Sequence, residues 1–241
     1  MKISVVVPAF NEEKLITASL VAIRGAMGAF AIREWASELI VCDNNSMDRT
    51  AELARAAGAA VVFEPVNQIA RARNKGAEAA TGDWLVFVDA DSHPSAELFG
   101  DAAEAIESGK YIFGGCTMRL DKNYLLAGLT ARLWNGISRV WKLAAGAFIF
   151  CETASFREAG GFDNQLFASE EIDLSKRLAA LARKKGKRGI ILSKHPMVTS
   201  GRKMHLYTTR EHLRILRRAI FSRGRTLRDR SECHLWYDGR R

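Results

Sequence analysis

Two carboxylates separated by one alanine, Asp89-Ala90-Asp91, follow directly on the apolar run Leu85-Val86-Phe87-Val88. Carboxylates at such a turn can grip a hard cation, which takes oxygen ligands and keeps places for water and phosphate oxygens. A cation between this pair and a diphosphate would neutralise the charge that collects on a departing nucleotide diphosphate. The same residues also have a plain reading, because Asp91-Ser92-His93-Pro94 can open a helix from Ser95 onward. Taken alone, the pair carries little weight.

Other residues have the same double character. Asp43 stands at the end of Glu38-Leu39-Ile40-Val41-Cys42 and can accept hydrogen bonds from a nucleobase or a ribose hydroxyl. In the plain reading Asp43-Asn44-Asn45-Ser46 is turn chemistry and Asp48 caps a helix. Asn11 and Glu12, just after Val5-Val6-Val7-Pro8-Ala9, are open to both readings. In Ala70-Arg71-Ala72-Arg73-Asn74-Lys75-Gly76, the arginines can meet a diphosphate or simply be solvated, and Asn74 is a poor helix former. Gly160-Gly161-Phe162-Asp163 precedes Ser169-Glu170-Glu171-Ile172-Asp173-Leu174, which puts acids at a helix start. The helix dipole favours acids there, and a carboxylate at such a point can also serve as a general base toward an acceptor hydroxyl.

These residues need a frame. Residues 3–7, 38–42, 60–63 and 83–88 are β-branched or apolar runs with the character of buried strands. Between them, 13–25, 48–57 and 69–80 have helical spacing, and 95–108 forms a further helix. Strict alternation of strand and helix predicts an α/β fold with a mostly parallel sheet and helices on both faces. Ligands of such sheets bind beyond the carboxyl ends of the strands. Three of those ends carry polar, acidic loops: Pro8 to Glu12, Asp43 to Asn45, and Asp89 to Asp91. No GxGxxG or P-loop stands at any of them. The second half is less regular. Strands are predicted at 111–115, 146–150 and 190–192, a long amphipathic stretch at 124–143, and a helix over 169–183 opened by Ser169. From Gly201 a basic helical pattern runs through Leu213, Leu216 and Ile220.

The chain has 241 residues, 48% of them apolar, which suits one main domain and a tail. Cys42, Cys116, Cys151 and Cys233 are scattered without CxxC or zinc spacing, so they read as buried free thiols. Neither a signal peptide nor an apolar stretch of about 20 residues is visible. Residues 183–241 hold 18 Lys/Arg against 4 Asp/Glu, a net +14, so the preceding 182 carry −5 of the total +9. A basic end on a mildly acidic body suits contact with anions, whether a membrane surface, a phosphorylated substrate or nucleic acid; a solvated basic face is the plain alternative. No groove-binding element for nucleic acid is readable.

In this order and spacing the motifs resemble those of the family 2 glycosyltransferases, over about residues 1–200. They are Val7 to Glu13, Asp43 to Thr50, Ala72-Arg73-Asn74-Lys75-Gly76, Val86 to Asp91, and Gly160-Gly161-Phe162-Asp163 with Glu170 to Leu174. The resemblance implies a GT-A fold, with a nucleotide-binding half at 1–108, an acceptor half at 109–200 and a basic segment at 201–241. It implies a nucleotide-diphosphate sugar as donor and Mg or Mn as cofactor. Pro8, Ala9, Glu12 and Asp43 would line the nucleoside pocket, with Asn11, Arg71 and Asn74 in the wider donor-binding set. Asp89 would meet the ribose or the metal, Asp91 the metal, with Ala90 between them. The family commonly has Glu-Asp where this chain has Glu170-Glu171, so Glu171 inherits the base with one extra methylene. Ser200 to Lys203 and His205 are similar to the family's variable loop, which can close over the diphosphate.

The expected function is metal-dependent, inverting sugar transfer to a hydroxyl of a saccharide or lipid-linked acceptor. The expected location is cytoplasmic, with a peripheral position on the inner membrane face. Homo-oligomerisation stays open. The rivals are a retaining transferase on the same fold, a nucleotidyltransferase, which should carry a glycine-rich basic loop after the first strand, and a non-catalytic basic nucleic-acid binder.

Overall fold

The structure, a computed structural model, describes residues 1–120, 135–144, 146–199 and 225–233. Its strands are β1 (Lys2–Ala9), β2 (Ala36–Asp43), β3 (Ala60–Phe63), β4 (Trp84–Val88), β5 (Ser92–His93), β6 (Tyr111–Leu120), β7 (Phe148–Glu152) and β8 (Arg188–Thr199). The helices are α1 (Ile16–Ala31), α2 (Thr50–Ala56), α3 (Ile69–Ala79), α4 (Ala96–Glu107), α5 (Thr153–Glu158) and α6 (Glu170–Lys184). Residues 135–141 are also helical.

One sheet contains all eight strands, in the order β3-β2-β1-β4-β7-β6-β8-β5. The pairs β1–β2, β1–β4 and β2–β3 are parallel, as strand–helix alternation requires. Side chains on β1 alternate between two cores. Val5 and Val7 join a cluster with Leu20, Ile23 and Phe99 from α1 and α4. Val6 joins a second cluster with Ala70, Ala77, Leu174 and Leu178 from α3 and α6. The sheet is therefore an α/β layer covered on both faces. Gly76 lets α3 lie close on the sheet, since a Cβ there would sit 2.3 Å from Val6 Cγ1.

Several elements differ from the sequence reading, each for a physical reason. α1 runs through Gly25 and Gly28 to Ala31, because Met27 and Phe30 continue its buried stripe. β7 lies antiparallel between β4 and β6 and breaks the parallel order there. β8 is far longer than 190–192. Its register against β6 jumps from Cys116↔Leu192 to Met118↔Met197, so Lys194, His195 and Pro196 fall in an irregularity that interrupts the pattern without ending the strand. Ser169 does not cap α6: it takes a left-handed φ of 63° and its side chain makes no cap bond. The basic helix predicted from Gly201, the loop expected at Ser200 to Lys203 with His205, and residues 124–134 of the predicted amphipathic stretch lie outside the described residues. Within the tail, Arg225–Arg228 forms a single 3-10 turn. All four cysteines are free and buried. Among the described residues no helix is long and apolar enough to cross a membrane.

Candidate active site

A cavity of about 370 Å³ opens at the carboxyl ends of β1 and β4. Its walls come from Pro8, Ala9 and Glu12 after β1, from Asp89, Ala90 and Asp91 after β4, and from Ser169, Glu170 and Glu171 at the start of α6. The acidic turn after β4 is not a helix cap. Ser92 and His93 pair with Thr199 and Val198 of β8, and α4 is capped by Ser95, whose Oγ accepts from the Leu98 N–H at 3.2 Å. Asp91 lines the cavity wall.

Arg73 of α3 is the centre of the site. Its side chain is 3% exposed, yet its guanidinium touches carboxylates from two other elements. Nη2 donates to Asp89 Oδ1 at 3.0 Å and Nη1 donates to Glu170 Oε1 at 2.9 Å. Glu171 Oε1 stands 3.9 Å from Nη1. The guanidinium also lies over the Phe162 ring, 5.2 Å from its centroid. Burial works against the charge on Arg73, but Asp89, Glu171 and Glu170 outweigh it and raise its pKa, so it stays a cation. Glu170 is buried and, with Glu171 beside it, is raised well above the usual carboxylate range despite Arg73. The surplus negative charge of three carboxyls around one cation is relieved there. Glu171 differs from its neighbour: its side chain is 18% exposed and reaches the cavity.

The remaining residues singled out in the sequence serve the walls from behind. Asn11 takes a φ of 51°, its Oδ1 accepts from the Met47 N–H, and its own N–H donates to Ser46 Oγ. Asp43 is buried and accepts from the Ser46 N–H. Arg71 Nε donates to Gln68 Oε1. Asn74 clasps the loop before α6, with Nδ2 donating to the Phe162 carbonyl and Oδ1 accepting from its N–H, each at 2.9 Å. None of these four lines the cavity.

Sequence reasoning passed over Asn44 and did not choose Arg73 for the donor set. Asn44 is 3% exposed; its Nδ2 donates to the carbonyls of Val66 and Glu64, and its Oδ1 accepts from the Gln68 N–H. It thereby ties the β2 exit to the start of α3. The signal for Arg73 was its spacing of four from both Ile69 and Ala77, which puts it on the inward face of α3.

The tail returns to this rim. The Phe167 N–H donates to the Leu227 carbonyl at 2.7 Å, and Arg228 Nη1 donates to Gln165 Oε1 at 2.7 Å.

Metal chemistry can be tested against the donor set. Among the described residues no group of three or more His, Cys, Asp or Glu is placed to hold an ion. Asp89 and Asp91 offer hard oxygens on one turn, which fits a Mg- or Mn-type ion that takes its other ligands from phosphate and water.

Comparison with known proteins gives this geometry a lineage. A dolichol-phosphate mannosyltransferase of Pyrococcus furiosus is 30% identical over 130 residues, 48% of this chain and 35% of that protein. Among solved structures, the mannosyltransferase PcManGT of Pyrobaculum calidifontis, in complex with GDP-Man and Mn2+, superposes with a TM-score of 0.71 at 20% identity, covering 94% of this chain and 62% of that one. TarS of S. aureus in complex with UDP superposes with a TM-score of 0.64 at 23% identity, covering 83% and 60%. The chain thus spans about a third of that curated relative and under two thirds of either structure. Both superpositions bear on the fold, which is GT-A. The profile of Glycosyl transferase family 2 matches residues 4–158, well over half the chain, and the chain belongs to that family.

Proposed function

We infer that this chain transfers a sugar from a nucleotide-diphosphate donor to a hydroxyl acceptor with inversion at the anomeric carbon. The observation that carries this reading is that Asp89 and Asp91 line the same cavity as Glu171. Pro8, Ala9 and Glu12 form the nucleoside wall. Asn11, Asp43, Arg71 and Asn74 hold the loops that shape it. Asp91, with Asp89, would hold Mg or Mn, and that ion supplies charge neutralisation to the departing diphosphate. Glu171 accepts the proton of the acceptor hydroxyl as its oxygen attacks the anomeric carbon. Glu170, buried against Arg73, is reserved for structure.

The nucleotides and Mn2+ bound by TarS and PcManGT support UDP- and GDP-sugars as the donors to try, and Mn as the first metal. A saccharide or a lipid-linked hydroxyl is the acceptor class. Exposed Val140 and Trp141 beside Arg139 and Lys142, with the basic tail, support a peripheral contact with anionic membrane. The segments are read as a transferase domain over 1–200, divided near 108, and a basic segment from 201.

The test is release of nucleotide diphosphate from UDP- and GDP-sugars, in Mn2+ or Mg2+ and in EDTA, by the wild type and by Asp91→Asn. Metal-dependent release that Asp91→Asn loses, while melting like the wild type, is expected. Equal release in EDTA removes the metal from the reading, and no release from any donor removes the transfer.

A further inference from the structure

We propose that Arg73 is the positioning residue that sets the spacing between the donor wall and the acceptor-side base of this site. The inference rests on the transfer reading above and adds a residue to it. Three elements converge on one guanidinium: α3 supplies Arg73, the β4 exit supplies Asp89, and the α6 start supplies Glu170 and Glu171. Partners 16 and 97 residues away in sequence are bridged within 3.0 Å. The planar fork of arginine can hold two carboxylates at fixed angles, whereas an ammonium is a point charge.

The guanidinium is itself held. Phe162 lies under it, and Phe162 is clasped by Asn74, the next residue of α3. Arg73 and Asn74 thus seat the Phe162 loop and the acid cluster from one turn of helix. Glu170 transmits the constraint. It is buried, it begins α6, and the next residue is Glu171, so fixing Glu170 fixes where the Glu171 carboxylate enters the cavity. Asp89 is held from the other side of the same fork. Without the cation, the Asp89 and Glu171 carboxylates would face each other across the buried Glu170 carboxyl with no positive charge between them. Their repulsion would push the β4 exit and α6 apart, and misplacement by about 1 Å is enough to cost about 10²-fold in rate.

A purely structural role must be separated from positioning, since loss of a buried cation destabilises by itself. The decisive variant is therefore Arg73→Met combined with Glu170→Gln, which removes the cation and one buried carboxylate together. The double variant is expected to melt near the wild type. Its turnover of the donor found active for the wild type should fall at least about 10²-fold, with donor KM within about threefold, because the chemistry loses its spacing while donor contacts remain. A stable double variant with wild-type turnover would overturn the proposal. If the double variant fails to fold, Arg73→Lys decides: it keeps the charge without the fork, and turnover reduced at least about tenfold supports positioning, while full turnover overturns it. If the wild type turns over no nucleotide sugar, the transfer reading fails on its own, and crystal structures of the wild type and Arg73→Lys decide instead. A shift in the Asp89–Glu171 separation supports the inference and an unchanged separation overturns it.

Discussion

The side chain of Asn74 replaces a strand partner for Phe162: it gives a hydrogen bond to the Phe162 carbonyl and takes one from the Phe162 N–H, both at 2.9 Å. A third bond runs from Nδ2 to Asn164 Oδ1 at 3.0 Å. The asparagine carboxamide carries a donor and an acceptor side by side on a short stem, which explains its presence in a helix despite its poor propensity. Gly161 completes the fit, because its φ is +68° and a Cβ there would stand 2.7 Å from Asn74 Oδ1.

Replacing Asn74 by Ala removes all three bonds and takes their Asn74 partner from the Phe162 backbone groups. The expected loss is about 1–3 kcal/mol of stability, read from urea unfolding. Asn74→Asp should recover little, since a carboxylate cannot donate to the Phe162 carbonyl. A loss below about 0.5 kcal/mol for Asn74→Ala would mean that the clasp contributes nothing measurable.

Glu171→Gln tests the base directly. Turnover is expected to fall by about 10² or more, with donor KM little changed, because the amide keeps the shape and loses the proton acceptor. Product stereochemistry read by NMR gives an independent answer. Inversion is expected, and retention at the anomeric carbon rules out direct displacement assisted by Glu171.

How much of this was readable beforehand follows from what residue patterns encode. The exits of β1 and β4 were legible because apolar runs end abruptly in Pro8 to Glu12 and in Asp89 to Asp91. The direction of β7 was not, since Phe148-Ile149-Phe150-Cys151 is equally apolar read either way. β8 was truncated in the sequence reading because Lys194, His195 and Pro196 interrupt its pattern, and only the pairing of Met197 with Met118 beyond them reveals the continuation. Arg73 read equally as a diphosphate contact or as a solvated cation, and neither reading buries it. Its burial depends on carboxylates brought from distant segments, which a local pattern does not carry. Glu171 was singled out from Glu170 through the family motif alone, and the structure adds that it is the more exposed of the two.

Attachment to membrane is testable on the surface at 135–141. Val140 and Trp141 are 76% and 71% exposed, and Arg139 and Lys142 adjoin them. Because residues 225–233 pack back against Gln165 and Phe167, truncating the tail would disturb the site rim, so substitution is the cleaner probe. The chain should co-sediment with phosphatidylglycerol vesicles at low salt and be released at high salt. Val140→Glu with Trp141→Glu should weaken this at least about tenfold. Equal sedimentation of the two proteins takes this surface out of any lipid contact.

The close seat of Gly76 on Val6 reaches beyond packing. Position 76 does not line the cavity, yet any side chain there would lift α3 off β1 and carry Arg73 and Asn74 with it. In a library selected for activity, position 76 would therefore score with the active-site residues. Second-site revertants would appear at Val6, as smaller residues that give back the lost volume. A map of mutational sensitivity would then draw the boundary of this site through the middle of the sheet, well behind the cavity that holds the chemistry.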